Sequence, residues 1–182
     1  MIKDTVQQAL QELFPSPESM AEENGSTVAA TSEEAEDAKS KKDKKQAPRA
    51  NGVVETDYDS CGYHLDVQLA PDQLVAAVTI MDQAGFFLEN ITGVDWISEN
   101  ELEAVYDFSR YDFDLCRVVI RTRTSREMPI IPTITEVFAG ANWHERETHD
   151  FFGIKFAGHP YLAPLLLPED ADFHPLLKDF KP

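Results

Sequence analysis

The sequence predicts an α+β fold: a mainly antiparallel or mixed sheet with packed helices, an extended C-terminal arm, and a disordered linker after a short N-terminal helix. Three observations predict it. Several runs between positions 63 and 121 alternate apolar and polar residues as half-buried strands do, and one run between them carries its apolar residues at helical spacing. The stretch from 153 to 182 shows neither period. Strands and helices that segregate in this way define an α+β architecture, not a wound α/β one.

Residues 1 to 14 place Ile2, Val6, Ala9, Leu10, Leu13 and Phe14 mostly three and four apart, which is one apolar stripe on a helix. Pro15 and Pro17 end it. So short a helix is marginal alone in water, so it docks either on its own domain or on a partner. Residues 15 to 52 have no aromatic residue and hold an acidic block followed by the lysine run KSKKDKK. They bury too little apolar surface to offset the entropy of ordering and are expected to form a flexible charged linker. With the acidic block beside it, the lysine run is solvated linker and not a nucleic-acid or lipid patch.

From residue 53 the pattern is that of a packed domain, expected to extend to 152. In YHLDVQL, Tyr63, Leu65, Val67 and Leu69 alternate with polar residues as a half-buried strand. PDQLVAAVTIMDQAG starts with Pro71 at a favourable first helical position, sets Leu74, Val75, Val78 and Met81 on one face, and stops at Gly85. FFLENITGVDWI is a strand, or a strand with a turn at Gly93. ELEAVYDFSR and DLCRVVIRTR alternate again, and pairing them as a hairpin around YDFD sets the acids of one against the arginines of the other. In PIIPTITEVF, Thr133 and Glu136 have the spacing of a capping box for a short helix. Gly140 breaks it, and NWHERETHDFFGI starts a second helix. Residues 153 to 182 are rich in Pro, His and paired leucines, with one short strand possible at 154 to 156. Such a tail, when ordered, lies along another surface.

Composition excludes several functions. The formal net charge is −17, and residues 53 to 182 hold 23 acids against 9 bases. An acidic domain lacks the footprint that nucleic-acid phosphates or anionic lipid require, but suits a basic protein partner. No apolar run reaches the ~18–20 residues of a membrane span, so neither a span nor a signal peptide is expected and the default location is cytoplasmic. Cys61 and Cys116 lie far apart in segments that read as strands, without a CxxC pair. A cysteine-ligated iron–sulfur or zinc site of this chain's own is therefore not expected. Two buried reduced thiols suit a cytosolic setting better than a disulfide.

His144, Glu145, Glu147, His149, Asp150, His159 and His174 invite a metal-site reading. His144 and His149 are five apart, however, and at ~100° per residue they diverge by about 140° on a helix. No GxSxG, GxGxxG or GxxxxGK[ST] motif supplies a nucleophile or a phosphate cradle. The spacing does offer two four-apart pairs, Arg146 with Asp150 and Glu145 with His149. Partly desolvated between Trp143 and Phe151/Phe152, such charges pin a chain crossing or a junction between proteins.

The stretch ANWHERETHDFFGIKFAGHPYLAPLLLPED…HPLLKDF resembles the signature of the thirty-kilodalton subunit of complex I (NADH:quinone oxidoreductase), roughly ERExxDxFGIxFxGHPxLRRLL…HPLRKDF. ITGVDW, YDF and PIIPTITEVFAGANW precede it in the family's order, so the resemblance spans about residues 53 to 182. It implies a structural, assembly subunit of an oxidoreductase, without catalytic residues, metal or cofactor of its own. The iron–sulfur clusters, with flavin or a NiFe site, belong to partner subunits. Its partners are the cluster-bearing and quinone-site subunits, and its place is peripheral, on the cytoplasmic side of a membrane-bound, ion-translocating complex. The interface and structural lock would comprise Glu145, Arg146, Glu147, Asp150, Gly153, His159, Pro160, His174, Lys178 and Asp179. Ala163, Pro164 and Leu177 stand where the family usually has arginine, losing bidentate contacts to a neighbour. That departure also fits the similar subunit of an energy-converting membrane-bound [NiFe] hydrogenase or formate hydrogenlyase-like complex. Two readings from other classes are a metal-dependent hydrolase using His144, Glu145, Glu147 and His159, and a free-standing adaptor tethered through residues 1 to 14.

Overall fold

A computed structural model describes residues 2–14, 50–112 and 115–181. Helix α1 (Ile2–Gln11) is followed by β1 (Gly52–Glu55), a short α2 (Tyr58–Cys61) and β2 (Leu65–Leu69). A 3₁₀ turn at Pro71–Gln73 leads into α3 (Leu74–Gln83), followed by β3 (Phe87–Trp96), β4 (Glu101–Arg110), β5 (Cys116–Ser125), β6 (Ile130–Pro132), α4 (Ala141–Phe152) and β7 (Lys155–Ala157). The main sheet has the order β1-β2-β5-β4-β3. Its β2–β5 pair is parallel and the other pairs are antiparallel. A second, parallel pair joins β6 to β7. The mixed α+β architecture is the expected one.

One face of the sheet carries the core. Val67, Ile120, Tyr106 and Ile91 lie in register across β2, β5, β4 and β3, and all four are buried. Helix α3 presents Leu74, Ala77, Val78 and Met81 to this core; Val75, expected on that face, is exposed instead. Gly85 ends the α3 segment in the left-handed region at φ +75°, where glycine carries no steric cost. Helix α1 buries Val6 and Leu10 against the same body, and Gln73 Nε2 donates to the Leu13 carbonyl at 2.8 Å. The docking surface of the N-terminal helix is therefore its own domain. Residues 15–49 of the expected linker lie outside the described residues.

The opposite face is an ion-pair ladder. Arg121 Nε donates to Asp66 at 3.0 Å, Arg123 Nε to Glu103 at 3.2 Å, and Arg117 Nη2 to Glu89 at 2.6 Å. The guanidinium of Arg123 stands 4.6 Å from the centre of the Trp96 ring, whose indole N–H donates to Glu103. The acids and arginines of β4 and β5 thus meet as the hairpin predicts, around a turn in which residues 113 and 114 are outside the described ones. The ladder also corrects β2: all five of its residues are buried, because Arg121 lies over Asp66 and covers the side expected to face water.

Three further expectations change. Strand β3 runs straight through Gly93 without a turn, since the residue lies opposite Ala104 and leaves room for a side chain from above. Residues 133–140 form turns, not a capped helix: the Thr133 oxygen accepts the Thr135 N–H at 3.2 Å, only two residues on, while its hydroxyl donates to the Glu145 carboxyl of α4. Cys61 sits exposed in α2 instead of buried in a strand, while Cys116 is buried in β5; the two form no disulfide.

Candidate partner-docking site

Helix α4 packs on the edge strand β3 and ends at Gly153, whose φ of +76° lets the chain reverse into β7. The two four-apart ion pairs expected on it do not form, because each of these side chains has a better partner off the helix. Glu145 is fully buried; Oε1 accepts the Ile134 N–H at 2.8 Å and Oε2 accepts the Thr133 hydroxyl at 2.5 Å. Burial pushes its pKa up to about 7, although both hydrogen bonds oppose the shift. Arg146 donates from Nε to the Ala163 carbonyl at 2.8 Å and from Nη2 to that of Pro164 at 2.9 Å. It also lies between Trp143 and Tyr161, 5.5 and 5.3 Å from their ring centres.

Asp150 accepts three successive backbone N–H groups, Leu165 at 2.8 Å, Leu166 at 2.7 Å and Leu167 at 3.2 Å. Burial acts to raise its pKa, but these donors and the nearby His149 outweigh it and hold the carboxyl below its usual range. The helix therefore uses its charges to hold the arm that follows. Ala163 and Pro164 contribute only carbonyls to Arg146, which any residue supplies, and Leu177, at the third departure from arginine, packs partly buried against the core.

The other expected site residues extend this clasp. The imidazole of His159 is buried; Nδ1 accepts the Tyr161 N–H at 3.0 Å and Nε2 donates to the Asn142 carbonyl at 3.2 Å. Desolvation lowers its pKa and keeps the ring neutral. His149 Nδ1 bonds the Ile154 carbonyl at 2.9 Å. His174 lies over Gly153 and donates from Nδ1 to the Asp150 carbonyl at 2.8 Å; Pro160 is exposed beside His159. The Lys178 N–H donates to Asp95 at 2.8 Å, and Asp179 pairs with Arg126 at 3.0 Å. The Arg126 bond draws the Asp179 pKa down.

Sequence reasoning missed the far anchor. Arg126 grips the buried Asp95 through Nε at 3.0 Å and Nη2 at 3.1 Å while also holding Asp179. The available signal was the strand phase of GVDW, in which Asp95 shares its inward side with Ile91 and Gly93. Glu147 stands apart: half-buried, it borders a cleft of about 210 Å³ between β3 and α4, lined also by Ile91, Gly93, Phe151, Phe152 and Leu176. His144, Glu147 and His159 do not converge. Among the described residues, no group of three or more His, Cys, Asp or Glu side chains is placed to hold a metal ion.

The described residues thus form a sheet domain whose last helix clasps an aperiodic arm and leaves apolar side chains on the outside of both. The chain belongs to the family described as respiratory-chain NADH dehydrogenase, 30 Kd subunit, matched over residues 67–182. It is 39% identical over 120 residues to the C subunit of NADH-quinone oxidoreductase from Roseiflexus castenholzii, covering 63% of this chain and 68% of that one. It is 41% identical over 93 residues to the C subunit of F(420)H(2) dehydrogenase from Methanosarcina mazei, covering 50% and 58%. The chain thus spans between about half and two thirds of these relatives' length. A protein in the structure of the membrane-bound sulfane sulfur reductase, an archaeal respiratory membrane complex, superposes with a TM-score of 0.59 at 28% identity, over 64% of this chain and 71% of that one. The relatives are subunits of oxidoreductase complexes. No described helix is long and apolar enough to cross a membrane.

Proposed function

We propose that this chain is a non-catalytic structural subunit in the peripheral arm of a complex I-type oxidoreductase, on the cytoplasmic side of the membrane. It packs there against the subunits that carry the terminal iron–sulfur cluster and the quinone site. The observation that carries this reading is the two-sidedness of the arm. Its inner side is held by Arg146, Asp150, Asp95 and Arg126, while Trp143 on α4 and Tyr161, Leu166 and Leu176 on the arm are more than half exposed. Large apolar side chains gathered on a fixed backbone favour a protein partner over water.

Deleting residues 158–182 and purifying the complex through a tag on the quinone-site subunit tests it. The chain should be lost and quinone reduction should fall; assembly and activity at the wild-type level would overturn the reading. Clusters, flavin or a NiFe site belong to the partners, so metal analysis of the isolated chain should find no stoichiometric iron or zinc. A donor other than NADH is the second reading, supported by the similarity to the F(420)H(2) dehydrogenase protein. Nickel in the purified complex would indicate a hydrogenase, and flavin with NADH-dependent quinone reduction a complex I.

A further inference from the structure

We propose that the cleft between β3 and α4 is a socket for an arginine side chain of the partner protein, with Glu147 as its counter-charge. This rests on the docking reading above and names the chemistry of the contact. The first observation concerns α4 itself. Glu145, Arg146, His149 and Asp150 all bond to the body or to the arm, whereas Glu147, half-buried on the same helix, makes no hydrogen bond or ion pair with any described residue. A carboxylate held partly out of water at the mouth of an apolar cleft favours a cation beside it.

The second observation is the shape and lining. The cleft holds about 210 Å³ between Ile91 and Gly93 of β3 and Phe151, Phe152 and Leu176, with Asn90, Thr92 and Thr148 also in its lining. A Cβ on residue 93 would stand 2.3 Å from the Phe152 ring, so glycine is what lets Phe152 drop onto the strand and form the floor. Apolar walls take the alkyl stem of an arginine, and its planar guanidinium can lie on an aromatic ring while offering two N–H groups to one carboxylate.

The third observation is charge. All six arginines among the described residues are already engaged within the chain, at Asp112, Glu89, Asp66, Glu103, Asp95 and the 163–164 carbonyls. With those arginines spent and a net charge of −17, the chain favours a basic group of another protein beside Glu147.

The test uses the assembled complex in its own host, with a photoreactive benzoylphenylalanine replacing Leu176 at the rim. Irradiation should give an adduct to one partner protein, with an arginine in the cross-linked peptide. Glu147→Lys should abolish the adduct and lower the co-purified complex by about tenfold or more. Glu147→Gln should lie between, and replacing the partner's arginine by glutamate should restore assembly with Glu147→Lys. The melting temperature of the isolated Glu147→Lys chain should match the wild type, which separates docking from folding. An adduct that survives Glu147→Lys, one to a peptide without a basic residue, or one to a second copy of this chain would overturn the socket. Deletion of 158–182 keeps the two ideas apart: if it still prevents assembly while Glu147→Lys does not, the socket fails and the docking reading stands. If neither prevents assembly, the docking reading itself fails.

Discussion

At the scale of a residue, Glu145 shows how a charge-dense motif becomes structural. Its carboxyl has a pKa of about 7, well above the ordinary 4.5, because burial outweighs the bonds from Ile134 and Thr133. The folded state therefore keeps a proton that the unfolded chain has released across the window from about pH 4.5 to 7. The stabilisation is fully present below pH 4.5 and is lost as pH rises through 7, a swing on the order of 3 kcal/mol. His159 acts in the opposite sense: its lowered pKa makes the unfolded chain bind more protons, and stability from it rises towards pH 6.5. Comparing wild type with Glu145→Gln isolates the carboxyl. The amide oxygen can still accept the Ile134 N–H, and its nitrogen can donate to the Thr133 oxygen. The wild type should lose stability to urea relative to the variant between pH 5 and 8; a constant difference across that range would refute the assignment. That these residues matter was legible in the sequence from their density between aromatics. Their partners were not, because Thr133, Ile134 and the arm carbonyls come from elements whose approach only tertiary packing decides.

At the scale of an element, α4 depends on two glycines for different reasons. Gly93 makes space: alanine there would drive a methyl group into Phe152, an overpacking that costs about 1–3 kcal/mol. Gly153 makes the turn: alanine at φ +76° would add the left-handed penalty of about 1–2 kcal/mol and also push at the His174 ring, 2.7 Å from the added carbon. Both variants should melt several degrees lower. Only Gly153→Ala should increase amide exchange at 174–180, since it unseats the arm; equal exchange in the two variants would contradict that division. The C-terminal stop at Gly153 was readable from FFG after a helical run. The strand through Gly93 was not, because glycine inside an alternating pattern signals a turn as readily as close packing, and only the arrival of Phe152 decides between them. Thr133 misled in the same way. Its spacing to Glu136 satisfied the capping rule, but its oxygen takes the Thr135 N–H and its hydroxyl donates to Glu145, which closes a turn beside α4 instead.

At the scale of the molecule, the question is what keeps an aperiodic arm in place. From 158 to 181 its backbone lacks regular partners of its own, and the domain supplies them through Arg146 and Asp150 at one end and Asp95 with Arg126 at the other. An arm ordered before its partner arrives forfeits less entropy on docking, so these anchors raise affinity without touching the partner. Arg126→Ala separates the two effects. It leaves the buried Asp95 carboxylate with the Lys178 N–H but without its guanidinium, at a cost of about 3 kcal/mol, and frees Asp179. The isolated chain should remain folded, with exchange protection kept in β4 and β5 and lost at 176–181. Its incorporation into the complex should then fall by more than the loss of folded chain explains. Arg126→Lys, a single point charge where a fork held two carboxylates, should recover only part of it. Incorporation that tracks the folded fraction alone would mean that the far anchor stabilises the domain and does nothing to prepare the arm.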